Sequence, residues 1–120
     1  MAQTLINGQL VECAHKYALV VRLKGGDPML FGRADEELRA LEEAGIEVEV
    51  VPGITTALAA AAATQQPLTK RGVSRSVAFF TSSTAPELDG QTAIPDTDTL
   101  VQYMGGREAT ATAQRLLEQG

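Results

Sequence analysis

Hydrophobic and polar positions alternate with two different periods along this 120-residue chain. From Gln3 to Lys16, the residues Ile6, Leu10, Cys13 and Tyr17 recur at helical spacing with polar residues between them. That pattern predicts an amphipathic helix with the Cys13 thiol buried on its apolar stripe and His15 in solvent. Ala18-Leu19-Val20-Val21-Arg22-Leu23 follows, a short branched apolar run of the kind that forms a buried strand, and Lys24-Gly25-Gly26-Asp27-Pro28 breaks it as a loop. Asp35 to Ala44 reads as a second helix. Asp35, Glu36 and Glu37 sit at its positive end, and Gly45 stands where a helix-terminating glycine belongs. Glu47-Val48-Glu49-Val50-Val51 alternates and predicts a strand ended by Pro52-Gly53. Ile54 to Thr64 is an alanine-dominated helix with side chains small enough to pack closely on a sheet.

Gln65 to Gly72 is polar, contains both Pro67 and Gly72, and has the composition of an interdomain linker. Beyond it, Ser76–Thr81 and Thr99–Met104 predict two more strands, with a loop over Ser82–Thr97 between them and a last helix over Arg107–Gln119. Strands alternating with helices predict an α/β fold with mostly parallel strands. Only two strands and one helix follow the linker, and a helix instead of a strand precedes the first predicted strand. Each half therefore reads as part of a domain.

Composition narrows the function classes. With 44% hydrophobic and 21% charged residues the chain is an ordinary globular one. Ten Lys and Arg against fifteen Asp and Glu give a net charge of −5, with no cationic cluster. Sequence-independent nucleic-acid binding and docking on an anionic membrane are therefore disfavoured. A single cysteine and a single histidine exclude an intrachain disulfide and a multi-histidine metal centre, and a reducing cytoplasm fits. No apolar run reaches the roughly 20 residues that span a bilayer, and no basic-then-apolar leader is visible.

Three glycine-containing turns each follow a predicted strand, the position where ligands collect in open α/β sheets. Gly25-Gly26-Asp27-Pro28 is either a plain turn or a loop whose bare backbone approaches a ligand, with Asp27 as an acceptor. Its spacing fits neither the dinucleotide nor the phosphate-loop fingerprint. In Pro52-Gly53-Ile54-Thr55-Thr56, Thr55 or Thr56 either caps the following helix or presents a hydroxyl. Met104, before Gly105-Gly106, either packs in the core or contacts a flat ring. Arg33 either pairs locally with Glu36 or Glu37 or holds a substrate carboxylate.

Taken together, Val20-Val21-Arg22-Leu23-Lys24-Gly25-Gly26-Asp27-Pro28-Met29-Leu30-Phe31-Gly32-Arg33, then Val50-Val51-Pro52-Gly53-Ile54-Thr55, Pro67-Leu68-Thr69-Lys70-Arg71-Gly72 and Tyr103-Met104-Gly105 resemble the tetrapyrrole methyltransferase family. Within it they are most similar to the uroporphyrinogen-III C-methyltransferases, over most of residues 3–120. The resemblance implies parts of two α/β domains: residues 1–66 from the first, 67–75 as linker and 76–120 from the second. It implies S-adenosylmethionine bound in a cleft, methylation of uroporphyrinogen III to precorrin-2 for sirohaem and cobalamin, a small-molecule tetrapyrrole as partner, and a cytoplasmic homodimer. Carried over, Gly25, Gly26, Asp27, Leu30, Thr55, Thr56 and Met104 match cofactor contacts, and Arg33 and Glu36 match residues facing the tetrapyrrole. No metal is implied, and no catalytic acid or base is carried over.

The chain departs from the family pattern at Met29-Leu30, at Ala34-Asp35 before the glutamate pair, at Lys70 and at Ser82-Ser83. It does not contain the family's opening Gly-x-Gly-Pro-Gly-Asp loop. The expectation is an internal fragment, inactive by itself. A different precorrin methyltransferase and a non-catalytic dimerising remnant are the alternative readings.

Overall fold

A computed structural model describes residues 2–81, 94–106 and 109–119. The chain divides into two compact units, Met1–Ala60 and Ala61–Gly120.

In the first unit, helix α1 spans Gln3–Lys16 and helix α2 spans Ala34–Glu43, and the two pack against each other. α1 buries none of its residues completely; Ile6, Leu10 and Cys13 are half-buried, and His15 is exposed. The Cys13 thiol is thus less enclosed than its place on the apolar stripe predicts, because the facing surface is one helix and not a full core. Gly45, at φ +72°, ends α2. Its amide donates to Glu42 O at 2.9 Å and the Ile46 amide to Leu41 O at 3.0 Å, the paired bonds of a Schellman motif.

Helix α3, Thr56–Thr64, runs across the division between the units and buries only Ala57. It ends in the same way as α2. The Gln65 amide donates to Ala62 O at 3.2 Å and the Gln66 amide to Ala61 O at 3.0 Å, with Gln65 itself left-handed at φ +55°.

The runs 18–23 and 47–51, predicted as strands, form no strand. Among the described residues no backbone hydrogen bond joins either run to a neighbour. Leu19, Val21 and Leu23 are 82%, 75% and 85% exposed, so the first run is not buried either. A β-strand needs a partner roughly 4.8 Å away. Here the runs Ala18–Lys24 and Val48–Gly53 both line a cavity of about 820 Å³ and are not bonded to one another.

In the second unit, strand β1 (Val77–Phe80) pairs in parallel with strand β2 (Thr99–Gln102), Val77 opposite Thr99 and Phe80 opposite Gln102. The ladder continues through the Tyr103 amide, which donates to Phe80 O at 2.7 Å. Phe80 is buried, and the Phe79 and Tyr103 rings meet at 5.7 Å between centroids and 54° between planes. Residues 67–75 are bonded into this unit. Lys70 and Ser74 form an antiparallel bridge, the Thr99 hydroxyl donates to Leu68 O at 2.8 Å, and the Ser74 and Thr99 hydroxyls lie 2.6 Å apart. Helix α4 covers Ala109–Gln119. Most of the predicted loop at 82–97, namely 82–93, lies outside the described residues, as do Arg107 and Glu108 at the start of the predicted last helix. Helices combined with a parallel strand pair make the chain α/β.

Candidate functional site

Two of the three glycine turns meet within the first unit, and Asp27 joins them. Its carboxylate accepts the Met29 amide on Oδ1 at 2.8 Å and the Gly53 amide on Oδ2 at 3.1 Å. These two amides, the Met29 bond first, hold the Asp27 carboxyl below its ordinary value of 3.8. The turns touch closely enough that a Cβ at Gly53 would overlap the Gly26 carbonyl oxygen. On its other side the junction is open: a Cβ at Gly25 would meet nothing within 4 Å. The result is a ledge whose open edge is the bare backbone of Gly25, with Gly26 set against Ile54 and Thr55 and α3 starting immediately beyond. The buried Thr55 precedes α3, its carbonyl accepting the Leu58 and Ala59 amides at 3.0 and 3.1 Å, while Thr56 opens the helix and is exposed. Leu30 sits in the same loop, its amide reaching Asp27 O at 3.4 Å.

The first turn's base is fixed by a charged cluster that the sequence pattern does not single out. Glu37, in the first turn of α2, is 5% exposed. Its Oε1 accepts Arg22 Nη2 at 2.9 Å, Arg22 Nε at 3.1 Å and Gln3 Nε2 at 3.2 Å, and its Oε2 accepts Lys24 Nζ at 3.2 Å. Burial by itself would raise the Glu37 carboxyl. The bonds from Arg22, Gln3 and Lys24, with the Lys24 charge, outweigh burial and hold it below its ordinary value of 4.5. Lys24 also donates to the Gly32 carbonyl, closing the loop 25–31 at its neck. Phe31 and Arg33, on either side of Gly32, are both left-handed at φ +52° and +55°. That conformation costs about 1 to 2 kcal/mol for each such residue, so the loop's shape is imposed by its surroundings. Arg22 and Lys24 stand two apart in the apolar run, on one side of an extended segment, and this spacing is the signal that could have identified them.

Arg33 and Glu36, expected to face a substrate, face each other. Arg33 Nε and Nη2 donate to the two Glu36 oxygens at 3.1 and 2.8 Å, and both side chains are largely exposed. Met104 belongs to the second unit, just after β2, left-handed at φ +55° and 59% exposed. Its side chain is therefore not core. Gly25, Gly26, Asp27, Leu30, Thr55 and Thr56 are gathered at one junction, Arg33 and Glu36 pair at the far end of the same loop, and Met104 stands in the other unit. Among the described residues no group of three or more His, Cys, Asp or Glu is arranged to hold a metal ion, and no helix is long and apolar enough to cross a membrane.

Comparison with known proteins follows the same residues. The family model of tetrapyrrole (corrin/porphyrin) methylases matches residues 1–120. A uroporphyrinogen-III C-methyltransferase of Synechocystis sp. is 50% identical over 101 residues, 80% of this chain and 38% of that protein. A protein of Yersinia pestis named siroheme synthase 2 is 44% identical over 123 residues, all of this chain but 26% of that protein. The solved structure of uroporphyrin-III C-methyltransferase from Thermus thermophilus in complex with S-adenosylhomocysteine superposes with a TM-score of 0.80 at 39% identity, covering 98% of this chain and 52% of that one. The chain thus spans about a quarter to a half of the length of these relatives.

Proposed function

The chain belongs to the tetrapyrrole methylase family, and from that membership we propose that it carries the cofactor ledge of an S-adenosylmethionine-dependent C-methyltransferase acting on uroporphyrinogen III. The observation that carries the reading is the junction at Asp27, where one carboxylate joins two glycine turns and leaves the backbone of Gly25 bare toward open space, with Gly26 beside it against the second turn. Only a ligand that takes hydrogen bonds from main-chain groups and needs close approach profits from such a surface. The names of the matched relatives, and the S-adenosylhomocysteine in the Thermus thermophilus complex, agree with this chemistry.

When bound, S-adenosylmethionine supplies a methyl group activated by its sulfonium. The residues of this chain position and do not react, in keeping with a reaction in which orientation supplies much of the rate. Gly25, Gly26, Asp27 and Leu30 form the ledge in this reading, Thr55 and Thr56 flank it at the start of α3, and the family resemblance assigns Met104 a cofactor contact as well. Arg33 takes a carboxylate of the substrate once it exchanges Glu36 for it, a trade between equivalent bidentate partners. In this reading residues 67–75 connect the parts of two family domains that the chain holds, 1–66 from the first and 76–120 from the second. The protein works in the cytoplasm as a homodimer, in agreement with its lone cysteine and its exposed apolar runs.

Calorimetric titration of the chain with S-adenosylhomocysteine tests this reading. Saturable binding at one site, with none for adenosine monophosphate, is the expected result. A folded chain that takes up neither compound would defeat it.

A further inference from the structure

We propose that Glu37 and Lys24 are a positioning pair: Glu37, fixed on α2, holds the Lys24 ammonium against the Gly32 carbonyl and so sets the shape of the Gly25–Phe31 loop. This rests on the reading of that loop as the cofactor ledge, and it assigns a role to two residues outside the ledge itself.

Four observations converge. Both side chains are sequestered, Lys24 at 11% and Glu37 at 7% exposure, which long charged side chains adopt only when paired. Lys24 is the residue immediately before Gly25, so a bond from its ammonium to Gly32 closes the two ends of the loop on each other. The space for that bond depends on Gly32 having no side chain, since a Cβ there would come within 3.2 Å of Lys24 Cε and Nζ and 3.3 Å of the Pro28 carbonyl. Phe31 and Arg33 are held left-handed directly beside the closure. Glu37 cannot be exchanged for Glu36 in this role, because Glu36 is turned outward onto Arg33.

Arg22 and Gln3 complete the arrangement by occupying Glu37 Oε1, which leaves Oε2 for Lys24. α1, the run 18–24 and α2 therefore each contribute to one carboxylate, and a displacement of any of them reaches the loop through Lys24. Asp27 then relays the loop's position to Gly53.

The test compares the wild-type chain with Glu37→Gln, Lys24→Met and Lys24→Arg, reading amide exchange by peptide mass spectrometry and S-adenosylhomocysteine affinity by calorimetry. Glu37→Gln and Lys24→Met should speed exchange within residues 25–32 by about tenfold or more, as expected for local opening, with α1 and α2 of the same unit still protected as the internal control of folding. The same variants should weaken binding about tenfold, and Lys24→Arg, which keeps a cation able to reach the carbonyl, should restore most of both. Unchanged exchange in 25–32, or wild-type affinity in both variants, would overturn the proposal. Failure of the wild-type chain to bind would defeat the cofactor reading instead, and the exchange measurement would still decide whether the pair shapes the loop.

Discussion

Glu36 and Glu37 are chemically identical neighbours with opposite fates. Glu36 pairs with Arg33 across an exposed helix turn, and such pairs contribute little. Glu36→Ala should therefore change unfolding free energy by less than about 0.5 kcal/mol in a urea titration. Glu37 is buried on two cations, and removing it strands Lys24. Glu37→Ala should cost about 3 kcal/mol in the same titration, near the lower end for buried pairs because Arg22 keeps solvent contact. Acidity separates them as well. The folded pKa of Glu37 lies below 4.5, so its contribution is complete above that value and is lost as pH falls through the lower folded value. Thermal unfolding followed from pH 6 to pH 3 should show stability falling in the wild type and falling less in Glu37→Gln. The charge pattern alone does not distinguish the two glutamates, since both suit the positive end of α2. What separates them is which one faces the run 18–24, and that depends on how α2 is rotated against it.

Helix boundaries were legible to within one or two residues, α3 beginning at Thr56 and not at Ile54, because their determinants are local. Periodicity places α1 at Gln3–Lys16, and Gly45 ends α2 where its residue type demands. α3 closes with the same pair of hydrogen bonds but puts Gln65 in the left-handed position that glycine occupies in α2. Gln65→Gly should accordingly stabilise the protein by about 1 kcal/mol, measured as a raised melting temperature, and Gly45→Ala should lower it by a similar amount. Strands are not local in this sense. β1 and β2 find each other, whereas 18–23 and 47–51 have the composition of strands but no ladder, and no reading of Val20-Val21 or Val50-Val51 alone reveals that. Amide exchange should separate the two classes, with 18–23 and 47–51 exchanging far faster than 77–80 and 99–102.

At the scale of the whole chain, the motif order was enough to reach the family, because Gly25-Gly26-Asp27 and Pro52-Gly53 retain their spacing whether or not the strands before them are paired. Of the charged support beneath the loop only the two-residue spacing of Arg22 and Lys24 had a local signal; its joining to Gln3 of α1 and Glu37 of α2 was not legible, since those side chains are far apart in sequence. The exposed apolar residues Leu19, Val21, Leu23 and Val51 carry a further consequence. Unburied apolar surface of this extent favours association, so sedimentation velocity should show a concentration-dependent dimer that Leu19→Ser/Val21→Ser/Leu23→Ser shifts toward monomer. A monomer at all concentrations would contradict the proposed self-association. The cofactor ledge is tested most directly by chemical-shift mapping of the isotopically labelled chain during addition of S-adenosylhomocysteine. The account predicts saturable shifts concentrated at Gly25, Gly26, Asp27, Leu30, Thr55 and Thr56. A folded chain whose amides there do not move would contradict it.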